Sequence, residues 1–531
     1  MILSGGDIEL PTKTIHELLI ERCLQHHEAD PENIAFMTAE NRSDAITFKQ
    51  VVDYSIRMSE WFVENGFKKG DVILIATNNN WRFVITSIGA WRAGLIVSGS
   101  CPQFTEYELQ YQIDDSTAKI LFCDTPTLPT LHKASRGHRI INFDDVEYAK
   151  ILNTPSKNLK MPEIALDDVL YLPYSSGTTG KPKGVMITQK NFGMTVTASV
   201  AKMRELTREH GLPDDFAPPH DLHFLPLYHA MGMFRAIITC YRGSTQIMLT
   251  KFKLEFMLQL VEEFSILAVS MVPAVLVRLV SSPLLHKYDL SSIINISLGS
   301  APLPEGAVQK LKQVLPDVKV AQGYGMTEMT FASHLPAPGS PQGSVGKLIA
   351  GTFMKVKKED GSLCGVKEEG ECWIKGPQVM KGYWKKEHLM KDLMDEDGFM
   401  RTGDIVYYDE NGDTFICDRI KELIKVNGKQ VAPAELESII LEADDVTDVC
   451  VFGVDDVASG EAPIACVVVP KNAPKNSATA KKIMAHVNAK LAKYKHLKSV
   501  EFVGEVLRTG TGKILRRNMK ENYLKMSKSK I

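Results

Sequence analysis

Tyr174-Ser-Ser-Gly-Thr-Thr-Gly-Lys-Pro-Lys-Gly184 follows directly on the apolar run Val169-Leu-Tyr-Leu-Pro173, and this order of strand then loop decides how the rest of the chain is read. Glycines 177, 180 and 184 let the backbone approach an oxyanion and aim successive N–H groups at it, while the hydroxyls of Ser175, Ser176, Thr178 and Thr179 add donors. Lys181 and Lys183 bring positive charge to the same place. The stretch reads as a phosphate cradle and implies a nucleotide. It is not a Walker loop: only two residues separate Gly177 from Gly180-Lys181, where that loop has four, and Pro182 follows the lysine. A flexible Ser/Gly linker shares this composition, but the preceding strand and the two lysines count against it.

Outward from this loop, short aliphatic runs recur at 71–77, 118–123, 169–174, 222–227, 266–273 and 294–300, and they alternate with helix-like stretches such as 81–94 and 253–264. That rhythm predicts an α/β fold of parallel sheets covered by helices. Proline-rich and polar loops fall at 153–163, 211–220 and 336–343. From about 350 to 419, strands separated by Gly/Asp turns predict an antiparallel β part. A small α+β unit is expected over 420–531, with Pro433 opening a helix whose apolar face is Leu436, Ile439, Ile440 and Ala443. The expected division is therefore 1–419 and 420–531.

At 531 residues the chain has material for two or three globular units. Its 62 basic and 64 acidic residues balance, so it carries no electrostatic footprint for nucleic acid, and small molecules are the expected partners. Nine scattered cysteines with no C-x-x-C pair suit buried thiols in a reducing compartment, with no structural metal expected. Neither a secretory leader nor a transmembrane run is evident. The final Ser529-Lys530-Ile531 is one aliphatic swap from a peroxisomal import tripeptide, so a peroxisomal destination through the import receptor is expected, with the cytoplasm as the alternative.

Five further segments carry chemistry: Leu225-Pro-Leu-Tyr-His229-Ala-Met-Gly232, Gln322-Gly-Tyr-Gly-Met-Thr-Glu328, Arg401-Thr-Gly-Asp404, Asp418-Arg-Ile-Lys-Glu-Leu-Ile-Lys425 and Thr509-Gly-Thr-Gly-Lys513. With 174–184, in this order and across nearly the whole chain, they resemble the acyl-adenylate-forming superfamily of AMP-dependent synthetases and ligases, most closely its 4-coumarate–CoA ligase and luciferase-like branch. The resemblance implies an acid–CoA ligase of two steps on an aromatic or medium to long aliphatic acid. The carboxylate attacks the α-phosphate of ATP, pyrophosphate leaves, and the CoA thiol then takes the acyl group from acyl-AMP. No Ser-His-Asp set is needed, because the substrate supplies the nucleophile and the protein positions charges.

The resemblance assigns Ser175, Ser176, Gly177, Thr178, Thr179 and Lys183 to the triphosphate. It sets Tyr324, beside Gln322 and Gly323, against adenine with Gly299, Ser300 and Ala301. Thr327 and Glu328 meet the α-phosphate and its Mg2+, and Asp404 holds the ribose with Arg419 assisting. Lys513 becomes the catalytic cation of adenylation. Lys421 is the hinge about which a small C-terminal domain turns, replacing Lys513 by the segment Lys425 to Gly428 for the thioester step. His229 gates or orients the acyl group, Lys251 and Gly428 are candidates for CoA contact, and Met233, Phe234, Gly299, Gly323 and Ala332 join His229 in the acyl pocket.

Three departures stand out. Gln189 replaces a histidine common in relatives, with an amide able to donate a similar hydrogen bond. Asn427 replaces a lysine at the CoA-facing loop, and Arg508 replaces a proline or lysine for no reason apparent in the sequence. Other readings are a luciferase-like adenylating monooxygenase, an enzyme loading a carrier protein, and a non-catalytic nucleotide binder. Only 18 residues follow Lys513, with no carrier segment among them, and Lys183, Glu328, Asp404 and Lys513 are all present.

Overall fold

The computed structural model describes residues 1–531 apart from 176–181, 301, 302, 304, 421, 427, 428, 444, 457, 458, 471, 492, 510, 511 and 529–531, and apart from the side chains of 429, 430, 527 and 528. Five of the sheets described use residues before 420, one of them a two-stranded pair, and a sixth is built from residues after it. The first sheet has eight strands, and its parallel centre is Val169–Tyr171, Ile96–Ser100, Val72–Ala76, Ala118–Cys123 and Ile140–Asn142. Lys183–Thr188 runs antiparallel beside Val169–Tyr171. Strand Val72–Ala76 is buried along its whole length, as expected for an aliphatic strand with helices on both faces.

A second sheet joins His220–His223, Thr245–Met248 and Ile34–Thr38 in parallel, with Asn41–Thr47 antiparallel at the edge. The third has three parallel strands, Ala268–Met271, Asn295–Leu298 and Lys319–Gln322. One of its faces, through Val269, Met271, Ile296 and Leu298, is packed into core. The helices Trp81–Arg92 and Leu254–Phe264 lie where the apolar periodicity set them. The run 222–227 differs: its strand ends at His223, since Pro226 has no N–H for a ladder and the chain is already turning into the helix Ala230–Arg242.

The antiparallel sheet extends beyond the expected 350–419. Phe353–Lys357, Gly370–Lys375, Met400–Tyr408 and Thr414–Arg419 are joined at the edge by Ile2–Ser4 from the far end of the chain. Gly382–Tyr383 leaves it altogether and pairs with Val185 and Met186 in the first sheet. After residue 420 the strands Ile424–Val426, Lys429–Val431, Asp448–Asp456, Gly460–Val468 and Ser499–Phe502 form one sheet with its own core around Val431, Leu436, Ile440 and Val467. Pro433 does begin the helix Pro433–Leu441. The closing segment contains the helix Arg516–Lys528, in which Met519 is buried against Phe452 and Val454. Among the described residues no helix is long and apolar enough to cross a membrane.

Candidate active site

The phosphate loop is framed by a short hairpin in which Ser175 pairs with Lys183 and Tyr174 with Gly184. Its tip, with Ser176, Gly177, Thr178 and Thr179, lies outside the described residues, as do Ala301, Lys421, Gly428 and the final tripeptide. The Ser175 hydroxyl donates to Glu328 Oε1 at 2.9 Å, and the Tyr383 hydroxyl donates to the same oxygen at 3.0 Å. The Lys183 ammonium stands over the Tyr383 ring, 5.1 Å from its centre. Glu328 is buried, and among the described residues its Oε2 takes no hydrogen bond. Neither are there three metal-binding side chains grouped there. One carboxylate with a free oxygen beside a phosphate cradle fits Mg2+, which is usually held by one or two carboxylates together with substrate phosphates. Tyr383 has no signal in the sequence, because it reaches the site only by strand pairing from far along the chain.

Backbone geometry fixes the Gln322–Glu328 segment. A Cβ on Gly325 would stand 1.9 Å from the Phe331 carbonyl oxygen, so the turn that buries Glu328 closes only with glycine there. Tyr324 is buried between this turn and His334, with which it exchanges backbone hydrogen bonds. Its hydroxyl donates to Asp404 Oδ2 at 2.5 Å. Asp404 Oδ1 meets Arg419 Nε at 2.9 Å, across adjacent strands where Asp404 and Arg419 are directly paired. Each carboxylate oxygen keeps a lone pair for a further donor such as a ribose hydroxyl. Thr327 begins the short 3-10 turn Thr327–Met329.

Lys513 is brought to this place by a loop tied at several points. Thr509 N–H donates to the Lys513 carbonyl at 2.8 Å, and Lys513 N–H donates to Thr509 Oγ1 at 3.1 Å. Gly512, at φ +79°, lies so close to Val272 that a Cβ would be 2.8 Å from its side chain, which seats the loop on the third sheet. Burial and then the Arg419 charge lower the Lys513 pKa, while Glu422, Asp404 and Glu328 oppose them. Arg508 now has a physical role: it donates to the Gly512 carbonyl at 3.0 Å and pairs with Asp448 at 2.6 Å, bracing the loop. Behind it, Arg516 is ion-paired with Glu437 and with Glu422, the latter at 3.1 Å. Asp418, next to Arg419, accepts from the Ala434 N–H at 3.2 Å and so caps the helix Pro433–Leu441 from the preceding strand.

Lys425 is exposed and lies apart from this cluster, its N–H bonded to Glu461 at 2.6 Å. Lys251 is also exposed, beside Glu40. His229 caps the helix Ala230–Arg242 and stacks beside Tyr228 at 4.4 Å; burial lowers its pKa to about 4, so it is neutral at pH 7. Ala332 is buried behind Gly325.

One expectation needs correction. Met233 and Phe234 do not line an open pocket: they turn into the core, Phe234 stacking on Phe331 at 4.3 Å, and the residue of that helix beside Gly299 is Met231. The helical phase is responsible, since 230, 233, 234 and 237 share the buried face. Gln189, the departure noted after the phosphate loop, accepts from the Ile15 N–H through its Oε1 at 3.0 Å and so ties down the start of the helix Ile15–Ala29.

Residues 24–384 match the model of the AMP-binding enzyme family, and 435–513 match that of the AMP-binding enzyme C-terminal domain. The chain belongs to the AMP-binding enzyme family. This AMP-binding enzyme is 57% identical over the full length of both chains to "Acyl-CoA synthetase 7" of Caenorhabditis elegans. It is 32% identical to "Peroxisomal OPC-8:0-CoA ligase 1" of Arabidopsis thaliana, over 93% of this chain and 91% of that one. Among solved structures it resembles ATP-bound MatB from Rhodopseudomonas palustris, with a TM-score of 0.84 and 27% identity over 96% of this chain and 99% of that one. The AMP-binding enzyme thus shares the large and small domains of adenylate-forming proteins.

Proposed function

We propose that this AMP-binding enzyme is an AMP-forming acid–CoA ligase. It joins a carboxylic acid to AMP with release of pyrophosphate and then passes the acyl group to the CoA thiol. The observation that carries this reading is the convergence of Lys513 with Glu328, Asp404 and Arg419 beside the Ser175–Lys183 hairpin. A cation there offsets the repulsion between an attacking carboxylate and an α-phosphate as the bond forms. The residues from 175 to 183 hold the departing pyrophosphate. Asp404 and Arg419 grip the ribose while Tyr324 flanks the base. Thr327 and Glu328 hold Mg2+, which when bound supplies charge that offsets the phosphate oxyanions. Neutral His229 orients the acyl group without exchanging its proton.

The arrangement with Lys513 inside and Lys425 outside is that of the first step. The second follows when residues after 420 rotate about Lys421, withdrawing Lys513 and bringing in Lys425 to Gly428, with Lys251 beside the entering CoA. The names of the two curated relatives support a thioester product. Import into the peroxisome through Ser529-Lys530-Ile531 belongs to the same proposal, supported by the name of the Arabidopsis relative. The test is acid-dependent ATP–pyrophosphate exchange, followed by mass detection of the CoA thioester across aromatic, fatty and branched acids. Exchange and thioester are expected with at least one class, and their absence across the panel refutes the proposal.

A further inference from the structure

A cavity of about 560 Å3 opens between the third sheet, the second half of the helix Gln189–Glu209 and the helix Ala230–Arg242. Its floor is the sheet face opposite the core, through Ala268, Ser270, Ser297 and Ala321. The next positions on that face are Gly299 and Gly323, because strand side chains alternate. Leu335 links the two regions: it forms part of the cavity wall and lies 3.4 Å from where a Gly323 Cβ would be. Small floor residues give the space its depth.

From the helix Ala230–Arg242, Arg235 and Arg242 line this space, and Met231 continues the same face beyond it toward Gly299. Met231, Arg235 and Arg242 lie at i, i+4 and i+11, almost in line along the axis. Met231 covers Gly299 at the adenylation end. Arg242, eleven residues on and about 16 Å away by helical rise, stands at the other. The two arginines differ. Arg235 is neutralised by buried Asp221 at 2.7 Å, and Asp221 also takes the Thr239 hydroxyl. Arg242 donates to the Phe216 carbonyl and contacts Met203 Sδ at 3.8 Å, and among the described residues it has no carboxylate within ion-pair distance. Burial and the neighbouring Arg235 charge lower its pKa, opposed only by the field of Asp221, which is already paired with Arg235. A half-buried guanidinium with spare donors, facing a cavity and with no carboxylate of its own in ion-pair contact, is costly to maintain for packing alone.

We propose that the acid activated here is an elongated bifunctional one, its reacting carboxylate at Gly299 and Gly323 and a second, terminal oxyanion held by Arg242. This rests on the acid–CoA ligase reading. The span corresponds to a chain of roughly a dozen carbon atoms, so the probes are dodecanedioic acid and dodecanoic acid, compared by kcat/KM for CoA-thioester formation. The wild-type enzyme prefers the diacid by about tenfold or more, as expected for a charge-assisted hydrogen bond. Arg242→Met removes that preference chiefly through KM for the diacid, whereas Arg242→Lys retains part of it. Ser297→Leu, which narrows the floor midway, shifts selectivity from both twelve-carbon acids toward hexanoic acid, so the channel is tested even if the Arg242 variants fold poorly. A wild-type preference for the monocarboxylic acid, an unchanged selectivity ratio in Arg242→Met, or an unchanged chain-length preference in Ser297→Leu overturns the inference. Failure to form any thioester, from mono- or dicarboxylic acids alike, overturns the ligase reading instead.

Discussion

Lys513 and Lys425 are both lysines near glycines, yet the structure gives them different surroundings: one half-buried within the field of Arg419, Asp404 and Glu328, the other exposed on a strand. Lys513→Ala is expected to reduce acid-dependent exchange by a factor of 100 or more, the order found when a charge-stabilising group is lost, while sparing thioester formation from pre-made acyl-AMP. Lys425→Ala is expected to do the reverse. Half-reaction assays on both variants check this, and equal loss of both steps in both variants would count against rotation. What was legible at this scale was contiguous chemistry. The hydroxyls and lysine of 174–184 announce themselves side by side, whereas Tyr383, which shares Glu328 with Ser175, carries no local mark. Met231 and Met233 differ only in helical phase, which a histidine cap and one turn of sequence do not fix.

At the level of elements, the contact between Asp418 and the helix Pro433–Leu441 joins the strand Thr414–Arg419 to the first helix after it. Asp418→Ala would leave the Ala434 N–H without its acceptor and cost about 1 kcal/mol, as loss of a helix cap does. Burial raises the Asp418 pKa to about 7, and this sets a pH dependence. The folded protein holds the proton more tightly than the unfolded chain, so the contribution is complete below the ordinary aspartate pKa near 4 and is lost as pH rises to about 7. Asp418→Asn keeps an acceptor and removes the charge. Its melting temperature, followed from pH 4 to 8, should gain on the wild type through that window and then run parallel. Strand existence was legible wherever an aliphatic run was long enough, as at Val72–Ala76. Ile2–Ser4 and Gly382–Tyr383 were not, because strands of two or three residues owe their conformation to partners elsewhere.

For the molecule as a whole, four of the buried histidines contribute strongly to the response to acid. Burial lowers the pKa of His16, His223 and His229 to about 4 and of His334 to about 3. Each stays neutral in the fold while the unfolded chain takes up protons near pH 6.5. Stability is therefore full above that value and falls as pH drops toward 4, at up to about 1.4 kcal/mol per pH unit for each group. Denaturant titrations at several pH values should show the slope, and His334→Gln should lower it by about one proton. The domain plan of sheets, antiparallel part and terminal α+β unit was readable because each has its own hydrophobic period. The cavity beneath Arg242 was not, since its floor, wall and far end come from residues that alternate with core positions on separate elements.

Tyr383 joins the first sheet opposite Val185, roughly 200 residues earlier in the chain. During synthesis at 5–20 residues per second, the strand carrying Lys183 waits about 10–40 seconds for the partner that completes the support of Glu328. Throughout that interval the sheet has an unpaired edge beside a glycine-rich loop. The site is thus assembled late, and the nascent chain spends that time with an open flank available to chaperones or to a neighbouring copy on the same message.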